Sequence, residues 1–111
     1  MTGAGSFSAR PIGALRHRLT LERASLGPDG ETVWTADGWL FAALQPLSGG
    51  EAEVGGGMSG RVTHRIEIRF RDDLSRRDRL RKADRIFRLV AVRDPDERRA
   101  RLVIDAEEEN R

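Results

Sequence analysis

A glycine pattern in residues 48–60, SGGEAEVGGGMSG, is typical of proteins that bind a dinucleotide. Gly55, Gly57 and Gly60 match G-x-G-x-x-G, in which the glycines let the backbone approach a pyrophosphate. That chemistry needs a helix directly after the glycines, because the helix N-terminus faces the phosphates. The residues after Gly60 alternate like a strand instead, and no Lys-Ser or Lys-Thr pair completes a P-loop. We therefore interpret residues 48–60 as a mobile loop and predict no cofactor.

Two histidines could ligate a metal ion, since imidazole is a common zinc ligand. His17 and His64 both lie on the apolar side of an alternating segment, and no third ligand accompanies them at a suitable spacing. The sequence has no cysteine, which excludes thiolate metal sites and disulfides. We expect both histidines in the core or at a subunit contact, and we predict no metal site.

A group of carboxylates at Asp94, Asp96 and Glu97 could serve acid and base catalysis. However, Asp-Pro-Asp is a common turn composition, and no nucleophile accompanies the group. We interpret the segment as a hairpin turn. With no catalytic residues identified, the sequence does not indicate an enzyme.

The basic stretch RRDRLRKADR, residues 76–85, could contact phosphate. The whole chain has a formal net charge of only +2, and its sequence pI of about 10.3 arises because almost nothing titrates between histidine and arginine. Charges of both signs alternate along most of the sequence, as on a solvated surface or one with many ionic contacts. We favour an exposed hairpin here and keep a small nucleic-acid-binding β-barrel as the alternative function.

Hydrophobic alternation predicts the elements that must carry these residues. In RVTHRIEIRFR the apolar residues take every second position from Val62 to Phe70, which is the period of a strand with one wet face. Similar alternation and turn signals at GPDG, at Asp37-Gly38 and at RDPDE predict strands over residues 15–23, 39–46, 62–71, 85–93 and 101–106. The expected fold is mainly β, a small antiparallel barrel or sandwich of five to six strands. The predicted core comprises Leu19, Leu21, Ile66, Ile68, Phe70, Ile86 and Val90.

The length of 111 residues predicts a single domain, with residues 1–12 as a flexible arm and residues 48–60 as a glycine-rich loop. No apolar run reaches the length of a membrane span, and the first residues lack the continuous apolar stretch of a signal peptide. We therefore expect synthesis in the cytoplasm.

In its order of features, the sequence from Gly13 to Glu108 resembles the head-tail joining proteins of tailed bacteriophages. The resemblance depends on PLSGGE at 46–51, THRIEIRFR at 63–71, and the series RIF, PDER and LVI near the end. The turn before RIF reads KAD where the family often has a glycine, and AEVGGGMSG replaces a helix-compatible segment. These departures leave the register of the hairpin around residues 76–86 open.

The resemblance implies a structural connector of a tailed phage or of a phage-like gene transfer agent. Such a protein forms a ring below the portal and adaptor, closes the DNA channel as a stopper, and provides the surface for tail attachment. We expect a homo-hexamer, with a dodecamer as the alternative, that contacts the adaptor ring above, a tail terminator or tail protein below, and the double-stranded DNA in its lumen. Assembly would occur in the bacterial cytoplasm, and the protein would then reside in the neck of the particle.

Two surfaces are assigned to this role. We expect a channel or gating loop in residues 48–60, formed by Gly49, Gly50, Glu51, Glu53, Gly55, Gly56, Gly57 and Met58. Charged strand faces in so small a domain need partners, and a ring of identical subunits can pair arginines of one copy with carboxylates of the next. The predicted subunit interface comprises Arg16, Arg18, Arg61, Arg65, Arg69 and Arg71.

Overall fold

The computed structural model describes residues 15–47 and 61–109. Six strands in these ranges form a closed antiparallel barrel in the order β1-β2-β3-β6-β5-β4. The strands are β1 (His17–Leu26), β2 (Thr32–Pro46), β3 (His64–Arg69), β4 (Arg79–Lys82), β5 (Arg85–Arg93) and β6 (Arg101–Glu108). The predicted mainly β, antiparallel fold is confirmed, and it is the barrel rather than the sandwich. The predicted arm at 1–12 and the glycine-rich loop at 48–60 lie outside the described residues.

Strand β3 follows the alternation that its sequence predicts. Ile66 and Ile68 are fully buried inside the barrel, whereas Arg65 and Arg69 lie on the outer face. β3 pairs with β2 on one side and with β6 on the other, so its inner side chains stand at the centre of the sheet. Within the described ranges, no helix is long and apolar enough to span a membrane.

Side chains from all six strands fill the interior of the barrel. The core cluster consists of Leu19, Leu21, Leu40, Ala42, Ile66, Ile68, Leu80, Phe87, Leu89, Leu102, Ile104 and Ala106. Four of the seven predicted core residues belong to it, and Phe70 packs against it while half-buried. Because the interior is filled, the barrel is a solid support and not a pore.

The prediction of buried residues in β5 is correct for Val90 and wrong for Ile86. Phe87 and Leu89 enter the core, whereas Ile86 is only half-buried and Val90 is buried outside the core cluster. The register against β6 shifts between Leu89 and Ala91, which places Val90 at a β-bulge. A bulge inserts one residue into a strand and changes which side chains face inward on its two sides.

Strand β2 is longer than predicted because Asp37-Gly38 does not form a turn. The pairing with β1 passes from Thr20 opposite Trp39 to Glu22 opposite Ala36, so two residues of β2 face one residue of β1. Gly38 has a φ of +86°, which glycine adopts readily. The dipeptide therefore marks a bulge in a continuous strand, and the β1–β2 ribbon continues beyond the barrel to the turn at residues 27–30.

Residues 79–85 of the basic stretch belong to the β4–β5 hairpin, as favoured from the sequence, but of these residues only the two in the turn are exposed. Leu80 pairs with Phe87, and Lys82 pairs with Arg85 across a two-residue turn. Ala83 adopts a φ of +56° in this turn, a conformation that glycine adopts more readily than other residues. Hence the KAD sequence keeps the hairpin by placing alanine in a left-handed conformation.

Candidate assembly interface

The six arginines of the predicted interface divide into two groups. Arg65 donates to Asp105 Oδ1 at 3.0 Å, and Arg71 donates through two nitrogens to Asp73 at 2.9 and 3.0 Å. These two arginines already have carboxylate partners within the chain. In contrast, no carboxylate of the described residues forms an ion pair with the other four, which are Arg16, Arg18, Arg61 and Arg69. All four are exposed.

Arg18 and Arg69 flank two exposed aromatic residues on the outer face of β2. Trp39 is 54% exposed and Phe41 is 48% exposed, and their rings meet edge to face with centroids 5.1 Å apart. The Arg18 guanidinium lies 5.1 Å from the centroid of the Trp39 ring, and Arg69 borders the groove beside Phe41. We call Arg18, Trp39, Phe41 and Arg69 the arginine–aromatic patch.

A groove of about 290 Å³ opens at the arginine–aromatic patch. Its lining consists of Trp39, Leu40, Phe41, Ile68, Arg69 and Arg71. β3 pairs with β2 only from Ala42 onward, so the edge of β2 before Ala42 is not covered by β3. The groove thus combines an apolar floor, a cationic rim and a strand edge that has no neighbour in the barrel.

Sequence reasoning missed the aromatic part of this surface. The turn predicted at Asp37-Gly38 would place Trp34 and Trp39 in different strands. Instead, both residues lie in β2, with Trp39 on the outer face and Arg79 stacked 4.1 Å above the Trp34 ring. The alternation of Trp39 and Phe41 with the buried residues Leu40 and Ala42 is the signal that could have identified the outer pair.

The outer face of β3, β6 and β5 has a different electrostatic character. Asp105 accepts from Arg65 at 3.0 Å and from Arg93 at 2.8 Å, and Arg101 contacts Glu67 at 3.5 Å. Glu67, Arg101 and Asp105 are all buried. Positive charge on this side is therefore neutralised within the chain, whereas Arg18 and Arg69 of the arginine–aromatic patch form no ion pair with a carboxylate of the described residues.

Arg23 joins the projecting β1–β2 ribbon to the loop before β4. Its guanidinium contacts Asp37 at 2.8 Å and Asp73 and Asp78 at 2.9 Å each. Hydrogen bonds from Arg71 and then from Arg23 lower the pKa of Asp73 to about 2. The carboxylate therefore stays charged down to strongly acidic pH, and the network braces the base of the ribbon where β1 leaves the barrel.

The two histidines lie at the opposite end of the barrel from the ribbon turn. His64 is 8% exposed, its Nδ1 lies 2.9 Å from Thr63 Oγ1, and its ring meets Phe87 edge to face at 5.1 Å. His17 Nδ1 lies 2.7 Å from Lys82 Nζ. Among the described residues, no group of three or more acidic or histidine side chains is arranged to hold a metal ion.

We expect His64 to make the fold sensitive to mild acid. Burial lowers the pKa of His64 below 6.5, although Glu108 at 3.9 Å acts in the opposite direction. A histidine with a lowered pKa in the folded state stabilises the fold fully above pH 6.5 and loses that contribution as the pH falls through its folded pKa. Urea unfolding midpoints measured at pH 7.5 and 5.5 should therefore fall in acid, and less so in His64→Gln. An equal fall in both proteins would contradict the prediction.

The remaining carboxylates with possible chemistry have structural roles. Asp94 Oδ2 accepts from the Arg99 backbone N–H at 2.8 Å, and Asp96 contacts Arg101 at 3.3 Å, which confirms a turn between β5 and β6. The loop predicted to line a channel, Gly49 to Met58, and the glycines of the nucleotide-like pattern lie outside the described residues. The structure describes only its base, where Leu47 N–H donates to Thr63 O at 2.9 Å.

Comparison with known proteins connects this barrel to virus assembly. The model of the family described as phage head completion protein matches residues 10–109. A chain of the virion of a native gene transfer agent particle is 27% identical, with a TM-score of 0.66 over 90% of this chain and 98% of that chain. A Shigella flexneri 2a protein solved in solution is 30% identical, with a TM-score of 0.64 over 89% of this chain and 96% of that chain. No curated protein matches the sequence significantly.

Proposed function

Since the chain belongs to the phage head completion protein family, whose members are structural virion components and not enzymes, we propose that it forms a ring in the head-tail connector. The particle would be a tailed phage or a gene transfer agent. The ring would lie below the portal and adaptor, close the DNA channel after packaging, and present the attachment surface for a tail protein.

The arginine–aromatic patch is the observation that carries this proposal. Two exposed aromatic rings beside arginines without carboxylate partners are unusual on a solitary domain, because tryptophan and arginine are the residues most enriched at interface centres. Their position on one face of a rigid strand suits a repeated contact in an assembly. A solvated, independent barrel has no need of such a surface.

The filled interior of the barrel decides where DNA would pass. Twelve core side chains occupy the space between the strands, so double-stranded DNA cannot enter a single subunit. A channel must therefore lie between several copies around a common axis. We propose six copies, with twelve as the alternative, and interfaces that include Arg16, Arg18, Arg61 and Arg69.

The loop at residues 48–60 is the proposed closing element of this channel. Its two ends, at Leu47 and Thr63, are joined by a backbone hydrogen bond of 2.9 Å at the end of the barrel opposite the ribbon turn. A ring that orients this barrel end toward the axis would bring all copies of the loop into the lumen. A glycine-rich segment changes conformation at small energetic cost, which suits opening and closing.

Shortening residues 48–60 to a four-residue turn should release packaged DNA while leaving subunit stability nearly unchanged. Val54 and Met58 are the only apolar side chains larger than alanine in that segment of the sequence, so little hydrophobic surface is lost. The measurement is nuclease sensitivity of DNA in particles that carry the shortened protein, together with the thermal unfolding midpoint of the isolated subunit. Fully protected DNA with normal tail attachment would show that the loop neither closes the channel nor forms an essential contact.

The mass of the native assembly, measured for the isolated protein and inside purified particles, tests the proposed ring directly. Six or twelve copies per particle would support it, whereas a single copy would overturn it. The alternative, a nucleic-acid-binding barrel, predicts binding of free duplex DNA that weakens steeply with salt. The ion pairs on β3, β5 and β6 neutralise much of the arginine charge and argue against that alternative.

A further inference from the structure

The exposed large apolar side chains of the described residues form two groups, and both groups lie on the β1–β2 ribbon. Trp39 and Phe41 belong to the arginine–aromatic patch at the barrel. Leu26 and Val33, which are 80% and 38% exposed, flank the turn at the far end. We call residues 26–33 the ribbon tip. Because one rigid element carries two separate apolar surfaces, the first surface of one copy can pack against the second surface of another copy.

The charges of the two surfaces are opposite. Asp29 and Glu31 are the only charged residues of the ribbon tip. Arg18 and Arg69, which belong to the patch, have no carboxylate ion-pair partner among the residues that the structure describes. The tip is acidic and the groove is cationic, so their charges attract each other. Both surfaces also expose apolar side chains that a contact would remove from water.

The ribbon tip has the rigidity that a docking element needs. Gly27 N–H donates to Glu31 O at 2.7 Å, Gly30 N–H donates to Gly27 O at 3.0 Å, and Gly30 has a φ of +84°. The Asp29 backbone N–H donates to Glu31 Oε1 at 3.0 Å. Together with the Arg23 network at the base of the ribbon, these bonds reduce the conformational entropy that binding would cost.

We propose that the ribbon tip of one copy docks into the arginine–aromatic patch of the next copy, with Leu26 entering the groove beside Phe41. This inference rests on the proposed ring and identifies the contact between neighbouring copies in it. The groove of about 290 Å³ accommodates an aliphatic side chain. Glu31 and Asp29 then approach Arg18 and Arg69, and each apolar surface is removed from water.

The same chain cannot make this contact with itself. Leu26 pairs with Thr32, and Phe41 lies nine positions after Thr32 along the extended strand, a distance of about 30 Å at 3.3 Å per residue. Each copy therefore offers a tip to one neighbour and a groove to the other. Contacts of this head-to-tail kind close into a ring when the rotation between copies permits it.

Cysteine cross-linking tests the proposal, because the natural chain contains no cysteine. Leu26→Cys and Phe41→Cys would be combined in one chain, incorporated into particles and oxidised. A disulfide requires Cα atoms about 4.4–6.8 Å apart, which excludes a bond within one chain. We expect a ladder of covalent multimers that ends at the copy number of the ring. Each single cysteine variant is the matched control and should remain uncross-linked.

Charge reversal adds a second measurement. Asp29→Arg with Glu31→Arg should reduce the cross-linking rate about tenfold, and adding Arg18→Glu with Arg69→Glu should restore it. A native ring without any ladder would overturn the tip-to-groove contact and leave the proposed function standing. Dimers from Phe41→Cys alone would also overturn it, because they would show two grooves facing each other. A ladder without a native ring would support the contact and refute the proposed ring.

Discussion

Replacing Phe87 with alanine is expected to lower the free energy of unfolding by about 3–5 kcal/mol. The side chain is fully buried in β5, pairs with Leu80 across the hairpin, and meets the His64 ring at 5.1 Å. Its removal leaves a cavity at the centre of a closed barrel, where backbone hydrogen bonds on both sides prevent the strands from moving together. Urea denaturation of the isolated subunit measures the loss.

Ile86→Ala is the matched control for this prediction. Ile86 precedes Phe87 in the same strand, but it is half-buried and outside the core cluster, so the expected loss is about 1 kcal/mol. The pair of variants tests which face of β5 points inward. A larger loss for Ile86→Ala than for Phe87→Ala would mean that the orientation of this strand is reversed.

Sequence alternation predicts β3 well because that strand is regular. Ile66 and Ile68 are buried between two paired neighbours, and no bulge interrupts the pairing from His64 to Arg69. A period of two residues is then sufficient to assign every side chain to a face. The antiparallel barrel class follows from several such strands connected by short turns.

Bulges are where the same reasoning fails. In RIFRLVAV, strict alternation puts Phe87 and Leu89 on one face and Ile86, Arg88 and Val90 on the other, but the bulge at Val90 buries that valine although Arg88 is exposed. In β2, Asp37-Gly38 has the composition of a turn although the strand continues through it. Local composition does not determine these outcomes, because pairing with a distant strand selects between them.

The sequence predicts which arginines of the candidate site point outward, but it does not predict which of them form ion pairs within the chain. Sequence identifies Arg65 and Arg69 as outward residues of one strand, yet only Arg65 meets an aspartate, which lies forty residues later in β6. That contact depends on the order of strands in the barrel, which alternation alone does not supply. The exposure of Trp39 and Phe41 likewise depends on the absence of a neighbouring strand at the start of β2.

Reversing Arg18 and Arg69 to glutamate is expected to abolish head-tail joining without unfolding the subunit. Both side chains are exposed and have no carboxylate ion-pair partner among the described residues, so their replacement should change the free energy of unfolding by about 0.5 kcal/mol or less. At an interface, the two new carboxylates would repel an acidic partner and reverse the attraction of the native rim. Counting particles with attached tails in electron micrographs measures the effect, and we expect a loss of about a hundredfold or more.

Two further variants separate an interface effect from a change in overall charge. Arg77→Glu with Arg98→Glu makes the same charge change at exposed positions that do not line the groove and should leave joining normal. Arg65→Glu instead places a carboxylate beside the buried Asp105 and should cost about 1–3 kcal/mol of stability, because Arg65 is bonded within the chain. Normal joining in Arg18→Glu with Arg69→Glu, in a folded subunit, would mean that the arginine–aromatic patch faces solvent in the particle. Loss of joining in that variant alone would place the patch at a contact on which the neck of the particle depends.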